Sequence, residues 1–265
     1  MIKKLTIVNG IVQDQKIGEI NFKADIVKPS GKHNVRTQIL LDLKTALGIT
    51  NHNTGNNAPT ASDEMHAKWM QNVENADETY VGAHFFVDED SIMQVLPINE
   101  VAYHAGDGKG NGNMKTIAIE ICENGNILKA EENAKMLNAA LILTYPHFKI
   151  YKHQDWSGKY CPRVILGRNS WDDFKADIMA YVEDAQKETL KNVVEEWKLK
   201  GLEFVSEEEI ITDYKYWLAN INGELDPWAI FIMIQKTLIK VRQEIKESED
   251  RVMKIINELI IKKEV

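Results

Sequence analysis

The sequence has few cysteines, no long apolar run and no excess of basic residues, and each of these absences excludes a class of protein. Its 265 residues include two cysteines, Cys122 and Cys161, which cannot form a disulfide framework and which fit synthesis in a reducing cytoplasm. No segment reaches about 18 uninterrupted apolar residues, so we expect no membrane insertion. The formal net charge is -8, without a local basic cluster, and this argues against nucleic acid as a partner.

The start of the chain is a poor match to a secretory signal, so we expect none. The first ten residues, MIKKLTIVNG, place basic residues before polar and charged ones instead of before a sustained apolar core. With 44% hydrophobic and 27% charged residues, the chain can bury one substantial core and has room for a small second unit. We therefore expect a soluble globular protein that is made in the cytoplasm.

The most informative segment is His153–Pro162, which reads HQDWSGKYCP. It combines an imidazole, an ammonium group and a thiol beside a turn-forming Ser-Gly pair. A thiolate and a neutral imidazole are ligands that Zn²⁺ prefers, and catalytic zinc sites typically take three protein ligands. Lys159 would lie close to any charge that develops there. The segment therefore indicates half of a zinc site, with one ligand still to come from elsewhere.

Alternating apolar residues predict a strand that could carry further chemistry. From Thr116 to Cys122, the isoleucines at 117, 119 and 121 point to one side and Glu120 points to the other. If the isoleucine face is core, the opposite face can hold Glu120 in a cleft. Residues 47–52 form a second candidate strand, which ends in polar residues and places His52 at its end.

The order of the other elements indicates an α/β or α+β domain that ends near residue 187. Segments 81–87 and 92–96 predict a strand pair around an acidic turn, and helices are expected at about 130–145 and after Ser170. An earlier helix, which begins after Pro59 and ends before Tyr80, carries Met65, Trp69 and Val73 on one face.

The third zinc ligand should be a histidine near a strand end, and His52 in the segment TNHNTG is the best placed. The other candidates are His33, His66, His84, His104 and His147. His66 on a predicted helix and His33 in a basic loop are more simply surface residues. His84 and His104 are harder to dismiss.

Five short motifs follow one another in a specific order. They are His52, GAHFFVDED with His84, AYHAG with His104, IAIE with Glu120, and His153 followed by KYCP with Cys161. In this order and spacing the chain resembles the type 2 N-acetylmuramoyl-L-alanine amidases over about residues 20–185. That family includes phage endolysins, bacterial muropeptide amidases and peptidoglycan-recognition proteins.

The resemblance implies an α/β fold with a mixed central sheet and flanking helices, and a Zn²⁺ held by His52, His153 and Cys161. It further implies that a water activated by the metal hydrolyses the amide between the muramic acid lactyl group and the L-alanine of peptidoglycan. Glu120 would be the catalytic base and Lys159 would stabilise the oxyanion, roles that agree with general zinc hydrolase chemistry. We expect substrate contacts from His104, Asn53 and Thr54.

Two positions depart from the family pattern. Some phage members carry a tyrosine just before the histidine of the second strand, where this chain has Ala83. No tyrosine role can therefore be assigned at that position, and we expect Glu120 to carry the catalysis. Arg163 follows Cys161-Pro162, where the family usually has glycine, so we expect a less tight turn and a positive charge near the cleft rim. A non-catalytic recognition protein typically lacks the thiolate ligand, so Cys161 favours an enzyme. A zinc hydrolase of another amide stays open.

Residues 190–265 predict an all-helical module. Apolar residues recur there at alternating spacings of three and four, as in a coiled-coil seam. The seam comprises Phe231, Ile234, Leu238, Val241, Ile245, Ser248, Val252, Ile255 and Leu259. Self-association into a homo-oligomer and packing within one chain both explain it.

Aromatic residues between Trp197 and Trp228 suggest a second role for the module, because aromatic rings can stack on sugars. They include Tyr214, Tyr216 and Trp217, and they could equally form the core of a small helical bundle. We therefore expect wall binding, oligomerisation or both. The missing signal fits an endolysin that is made in the cytoplasm and acts at the cell wall after release.

Overall fold

The computed structural model describes residues 1–30, 35–73, 81–207, 217 and 227–261, with side chains described over 1–30, 35–73, 81–189, 217 and 234–256. It divides into two compact units, Met1–Lys187 and Glu188–Val265. His33 and Tyr80 lie outside the described residues.

The first unit contains strands and helices in alternation. Its strands are β1 (Ile7–Val8), β2 (Ile11–Val12), β3 (Lys16–Ile17), β4 (Ile20–Ala24), β5 (Gly48–Asn53), β6 (Phe85–Val87), β7 (Ser91–Gln94), β8 (Thr116–Ile121) and β9 (Lys149–Lys152). Its helices are α1 (Asp63–Asn72), α2 (Asn111–Lys115), α3 (Ile127–Thr144), α4 (Gln154–Ser157) and α5 (Arg163–Gly167), and α6 (Trp171–Glu207) begins within it.

A mixed seven-stranded sheet organises this unit, in the order β3-β4-β7-β6-β8-β5-β9. Next to the β9 edge, β5 runs parallel to β8 on one side and to β9 on the other, whereas β6 and β7 form the expected antiparallel pair. The register places His52 of β5 directly beside Glu120 of β8. Because ligands bind where the carboxyl ends of parallel strands meet, this pairing positions the site.

Both faces of the sheet are covered by helices. The β8 isoleucines, Ile117, Ile119 and Ile121, are fully buried in one core cluster together with Leu137 and Leu141 of α3. On the opposite face, Ala118 and Cys122 pack in a second cluster with Phe86 and with Met70 of α1. The prediction of an α/β fold with a mixed central sheet and flanking helices is therefore confirmed. The face of β8 that carries Glu120 is therefore partly packed, at Ala118 and Cys122, and partly open to a cleft at Glu120.

Helix α1 begins where its sequence favours an N-terminus, since Ser62 Oγ accepts a hydrogen bond from the N–H of Met65 at 3.3 Å. The face that meets the sheet carries Ala67 and Met70, which are buried. Met65 and Trp69 are 48% and 52% exposed, so the predicted apolar face is not the one that packs on the core. Val73 lies just beyond the helix as its C-cap.

The described part of the second unit is helical, as the predicted module requires. It contains the continuation of α6 to Glu207 and the helix α7 (Pro227–Ile261). Within the described residues, no helix combines the length and apolarity needed to cross a membrane. The apolar seam of α7 is exposed over its described side chains: Ile234, Leu238, Val241, Ile245, Val252 and Ile255.

The aromatic candidates of the second unit fall largely beyond what the structure describes. Tyr214 and Tyr216 lie outside the described residues, as do the side chains of Trp197 and Trp228. Trp217 is half-buried. A sugar-stacking role for this segment stays a prediction.

Candidate metal centre and active site

Three donor side chains converge at the carboxyl ends of the parallel strands β5 and β9. His52 comes from the end of β5, His153 directly follows β9, and Cys161 precedes α5. Nδ1 of His52 lies 3.0 Å from Nδ1 of His153 and 3.9 Å from Sγ of Cys161. Tetrahedral zinc bonds would separate two nitrogens by about 3.3 Å and a nitrogen and a sulfur by about 3.6 Å. The three buried donors therefore fit a metal ion of this kind.

The surroundings prepare the imidazoles to act as neutral ligands. Burial, and then the positive charges of neighbouring groups, lower the pKa of His52 well below its ordinary value. Burial and the Lys159 ammonium lower the pKa of His153 in the same direction. Burial also raises the pKa of the Cys161 thiol to about 11. A metal ion that binds here must displace the thiol proton, so its affinity will depend on pH.

Glu120 faces this donor cluster from the neighbouring strand. Its Oε1 lies 3.9 Å from Nδ1 of His52, and its Oε2 is buried without a hydrogen-bond partner among the described residues. Burial, opposed by the Lys159 ammonium and assisted by the negative charge of Glu123, raises the pKa of Glu120 to about 8. A buried carboxyl with an unpaired oxygen and a raised pKa is suited to accept and return a proton.

The cluster lies in a cleft of about 520 Å³ that also contains Lys159, Asn53 and Thr54. The wall that α1 contributes is largely apolar and includes Met65, His66, Trp69 and Met70. The exposed apolar side chains of α1, Met65 and Trp69, therefore line the cleft. This apolar wall next to polar catalytic groups is typical of a site for a small or extended ligand.

Of the expected substrate contacts, Asn53 is hydrogen-bonded within the protein. Its Oδ1 accepts from the backbone N–H of Val164 at 2.9 Å, and its Nδ2 donates to the carbonyl of Ile121 at 3.5 Å. These bonds join β5 to the end of β8 and to the start of α5. Thr54 differs, because its Oγ1 is buried at the cleft and has no hydrogen-bond partner in the described part of the chain.

His104 reaches the donor cluster from the loop before α2. Its Nδ1 lies 3.0 Å from Nε2 of His52, and the two rings meet edge to face. The loop is fixed by Asn113, whose Oδ1 accepts from the backbone N–H groups of His104 and Ala105 at 2.7 Å each. The next residue in that loop also influences the cluster, because the backbone of Ala105 opposes the lowering of the His153 pKa.

Among the residues that the structure describes, the other histidines do not reach the donor cluster. His84 is fully buried between the carbonyl of Glu100 and the N–H of Ala118, and burial lowers its pKa to about 4. His147 is exposed next to Phe148. His66, expected at the surface, is half-buried in the cleft wall, where its ring stacks on Phe86 at 5.1 Å.

Several residues around the site did not emerge from the sequence. Trp69 lines the cleft. Met65 and Trp69 share one face of α1, and the buried Ala67 and Met70 lie on another. Two apolar faces on one helix could have indicated that one of them borders a cleft. Thr50 and Thr116 meet at 2.8 Å beneath His104. Their contact depends on strand register, which no local motif reveals.

Comparison with known proteins gives a consistent family assignment. Residues 43–164 match the family model Amidase_2, described as N-acetylmuramoyl-L-alanine amidase. The N-acetylmuramoyl-L-alanine amidase XlyA of Bacillus subtilis (strain 168) is 44% identical over 138 residues, which are 51% of this chain and 44% of that protein. CwlH of the same strain is 46% identical over 131 residues, 48% of this chain and 50% of that protein. The chain thus spans about half the length of these curated relatives.

Solved structures share the same fold. The catalytic domain of XlyA is 40% identical, with 60% of this chain and 99% of that chain covered at a TM-score of 0.53. A mutant endolysin from Bacillus subtilis is 39% identical over the same shares of the two chains, also with a TM-score of 0.53.

Proposed function

Because this chain belongs to the type 2 N-acetylmuramoyl-L-alanine amidase family, we propose that it is a zinc-dependent amidase of bacterial peptidoglycan. Its reaction would be hydrolysis of the amide between the muramic acid lactyl group and the L-alanine of the stem peptide. The observation that carries the proposal is the convergence of His52, His153 and Cys161 beside Glu120 in one cleft.

When bound by His52, His153 and Cys161, Zn²⁺ would supply Lewis-acid chemistry, polarising the amide carbonyl and lowering the pKa of a water molecule. Glu120 accepts the proton of that water and passes it to the leaving amine, for which its unpaired Oε2 and raised pKa suit it. Lys159, a cation of the cleft lining, stabilises the negative charge that develops on the carbonyl oxygen.

A non-catalytic peptidoglycan-recognition protein is the second candidate. It would use the same cleft and its apolar wall for binding alone. The buried thiol of Cys161 beside two imidazoles supports the enzyme, because a purely binding cleft has no need of a third metal ligand.

Digestion of purified bacterial walls tests the activity. We expect the full chain, loaded with zinc, to release peptides with a free L-alanine amino terminus and to leave the sugars intact. Cys161→Ser should lower both zinc content and turnover. Glu120→Gln should keep the zinc and lower turnover by about 10²–10⁴-fold, the usual contribution of a general base.

The same digestion separates the proposal from its rivals. The exposed carboxylate of Glu64 lies outside the cleft lining, so Glu64→Gln serves as the matched control and should digest walls as the wild type does. Any other new chain end in the products, or full turnover by Cys161→Ser, would overturn the assigned reaction. Wall binding without any cleavage would favour the recognition protein.

For the second unit, we propose self-association through α7, with action of the whole chain at the bacterial cell wall. The seam residues repeat at heptad spacing, and the described ones are about half exposed. A second copy of α7 offers a partner with the same repeat, so two seams can cover each other. Two catalytic units on one assembly would bind a repetitive polymer with higher avidity.

A further inference from the structure

A chain of side-chain hydrogen bonds leads from Trp156 to the metal-ligating His52. Trp156 Nε1 donates to Thr50 Oγ1 at 2.9 Å, and Thr50 Oγ1 lies 2.8 Å from Thr116 Oγ1. Thr116 Oγ1 lies 3.5 Å from His104 Nε2, and His104 Nδ1 lies 3.0 Å from His52 Nε2. Thr50 and Thr116 are fully buried. These contacts come from β5, β8, α4 and the loop that carries His104, so the tertiary fold assembles them.

The direction of each bond is fixed by groups that can play only one part. The indole N–H of Trp156 can only donate, and the carbonyl of Gly112, 2.6 Å from Thr116 Oγ1, can only accept. Thr116 therefore donates its single hydroxyl proton to the carbonyl of Gly112. Thr50 must then donate its own proton to Thr116, while its oxygen accepts from Trp156.

The same reasoning fixes the tautomers of both histidines. Thr116 Oγ1 has only acceptor capacity left, so the nitrogen of His104 that faces it, Nε2, carries the proton. Nδ1 of His104 is then an acceptor, and its partner at 3.0 Å, His52 Nε2, must be the donor. A neutral imidazole protonated on Nε2 has its lone pair on Nδ1. That atom of His52 faces His153 and Cys161.

We propose that Trp156, Thr50, Thr116 and His104 form a directional hydrogen-bond relay that holds His52 in the tautomer whose Nδ1 binds the metal. They are positioning residues, because they act through His52. The inference rests on the proposed metal site and extends it beyond its three ligands. Hydrogen bonds to the second nitrogen of a histidine ligand fix its ring orientation, and their loss typically lowers metal affinity by about 10–100-fold.

Zinc affinity of the full chain, measured by competition with a chelator, tests the relay without recourse to activity. His104→Leu should weaken zinc binding by about 10–100-fold. His104→Asn should bind zinc nearly as well as the wild type, because its Oδ1 can take the place of Nδ1 as acceptor. Trp156→Phe removes only the first donor and should have a smaller effect. Trp171→Phe, at a tryptophan outside the relay that stacks on Phe174, is the control.

Nitrogen-15 NMR of the zinc-loaded protein reads the tautomers directly. We expect a proton on His52 Nε2 and a scalar coupling from that nitrogen, across the hydrogen bond, to His104 Nδ1. A proton on His52 Nδ1, unchanged affinity in His104→Leu, or equal losses in the Leu and Asn variants would overturn the relay. Wild-type protein that binds no zinc would instead overturn the metal site itself.

Discussion

At the scale of single residues, Arg163 joins segments that carry the site. Its Nε lies 3.1 Å from Oε1 of Glu123, which also accepts from the backbone N–H of Gly55 at 3.0 Å, and its Nη2 binds the other carboxylate oxygen. Glu123 follows β8, Gly55 follows β5, and Arg163 begins α5 just after Cys161. The positive charge that the sequence places near the cleft rim therefore has a carboxylate partner.

We predict that Arg163→Ala lowers the free energy of unfolding by about 1 kcal/mol, because the guanidinium is half exposed and solvent screens part of its attraction. Arg163→Lys should keep part of this stability, since it preserves the charge but not the two parallel hydrogen bonds. A double-mutant cycle with Glu123→Gln, followed by urea unfolding, measures the coupling. Strict additivity of the two substitutions would show that the pair contributes nothing.

The sequence motifs predicted the identity of the site residues better than their contacts. His52, His153, Cys161 and Glu120 were selected by residue type and by strand alternation, and the structure brings all four together. The contact between His104 and His52 could not be read from the sequence, because it joins a loop to a strand 52 positions away. Sequence alternation tells which face a residue takes but not which atom lies opposite.

At the scale of elements, α1 shows where an amphipathic pattern is ambiguous. Two faces of α1 carry small or apolar residues at helical spacing, so the sequence does not tell which face is buried. Packing decides that Ala67 and Met70 meet the sheet. Trp69 then belongs to the cleft wall, half exposed. Helix α3 lies within a few residues of the expected 130–145, and the acidic turn separates β6 from β7 as expected, but β6 begins at Phe85 instead of at residue 81.

If the α1 wall binds substrate, Trp69→Ala should raise KM for a soluble muropeptide about fivefold with little change in kcat, equivalent to about 1 kcal/mol for one aromatic contact. The free energy of unfolding should change little, because the ring is 52% exposed. Leu128 of α3 is 63% exposed and lies outside the cleft lining, so Leu128→Ala is the control. Steady-state kinetics in which both variants keep the wild-type KM would remove Trp69 from the binding surface.

The N-terminus of α1 is held against the β6–β7 turn by two acidic residues. The backbone N–H of Asp63 donates to Asp88 Oδ2 at 3.3 Å, and Ser91 Oγ donates to Asp63 Oδ2 at 2.7 Å. Burial, together with the negative charge of Asp88, raises the pKa of Asp63 from 3.8 to about 7. The folded protein therefore favours the protonated acid, and its contribution to stability is complete below pH 4 and is lost as the pH rises through 7.

We predict that Asp63→Asn removes this loss, because the amide stays neutral and still offers a hydrogen-bond donor. The difference in unfolding free energy between the variant and the wild type should grow in favour of the variant as the pH rises from 5 to 8, by a few kcal/mol at most. Urea unfolding at the two pH values measures the difference. Asp90→Asn, at an exposed position of the same turn, should show none. An equal pH dependence in Asp63→Asn and the wild type would contradict the burial argument.

At the scale of the whole molecule, the residues assigned to chemistry all fall within Met1–Lys187, whereas the heptad seam falls within Glu188–Val265. The helical character of the second unit follows from composition and period, which act locally. Which surface covers the seam does not follow from them, because self-association and packing within the chain require the same apolar spacing. The exposure of the described seam residues supports the first of these.

Charges placed on the seam should therefore separate the copies without harming the catalytic unit. We predict that Leu238→Glu, Ile245→Glu and Val252→Glu together convert an oligomer to a single chain of 30.3 kDa in light scattering, because three buried carboxylates on each helix would repel. Gln243→Glu with Lys254→Glu changes the net charge equally on the opposite, exposed face of α7 and should leave the oligomer intact. Turnover of a soluble muropeptide should be the same in all three proteins. If the wild-type chain is a monomer in light scattering, self-association is wrong and the seam packs within one chain.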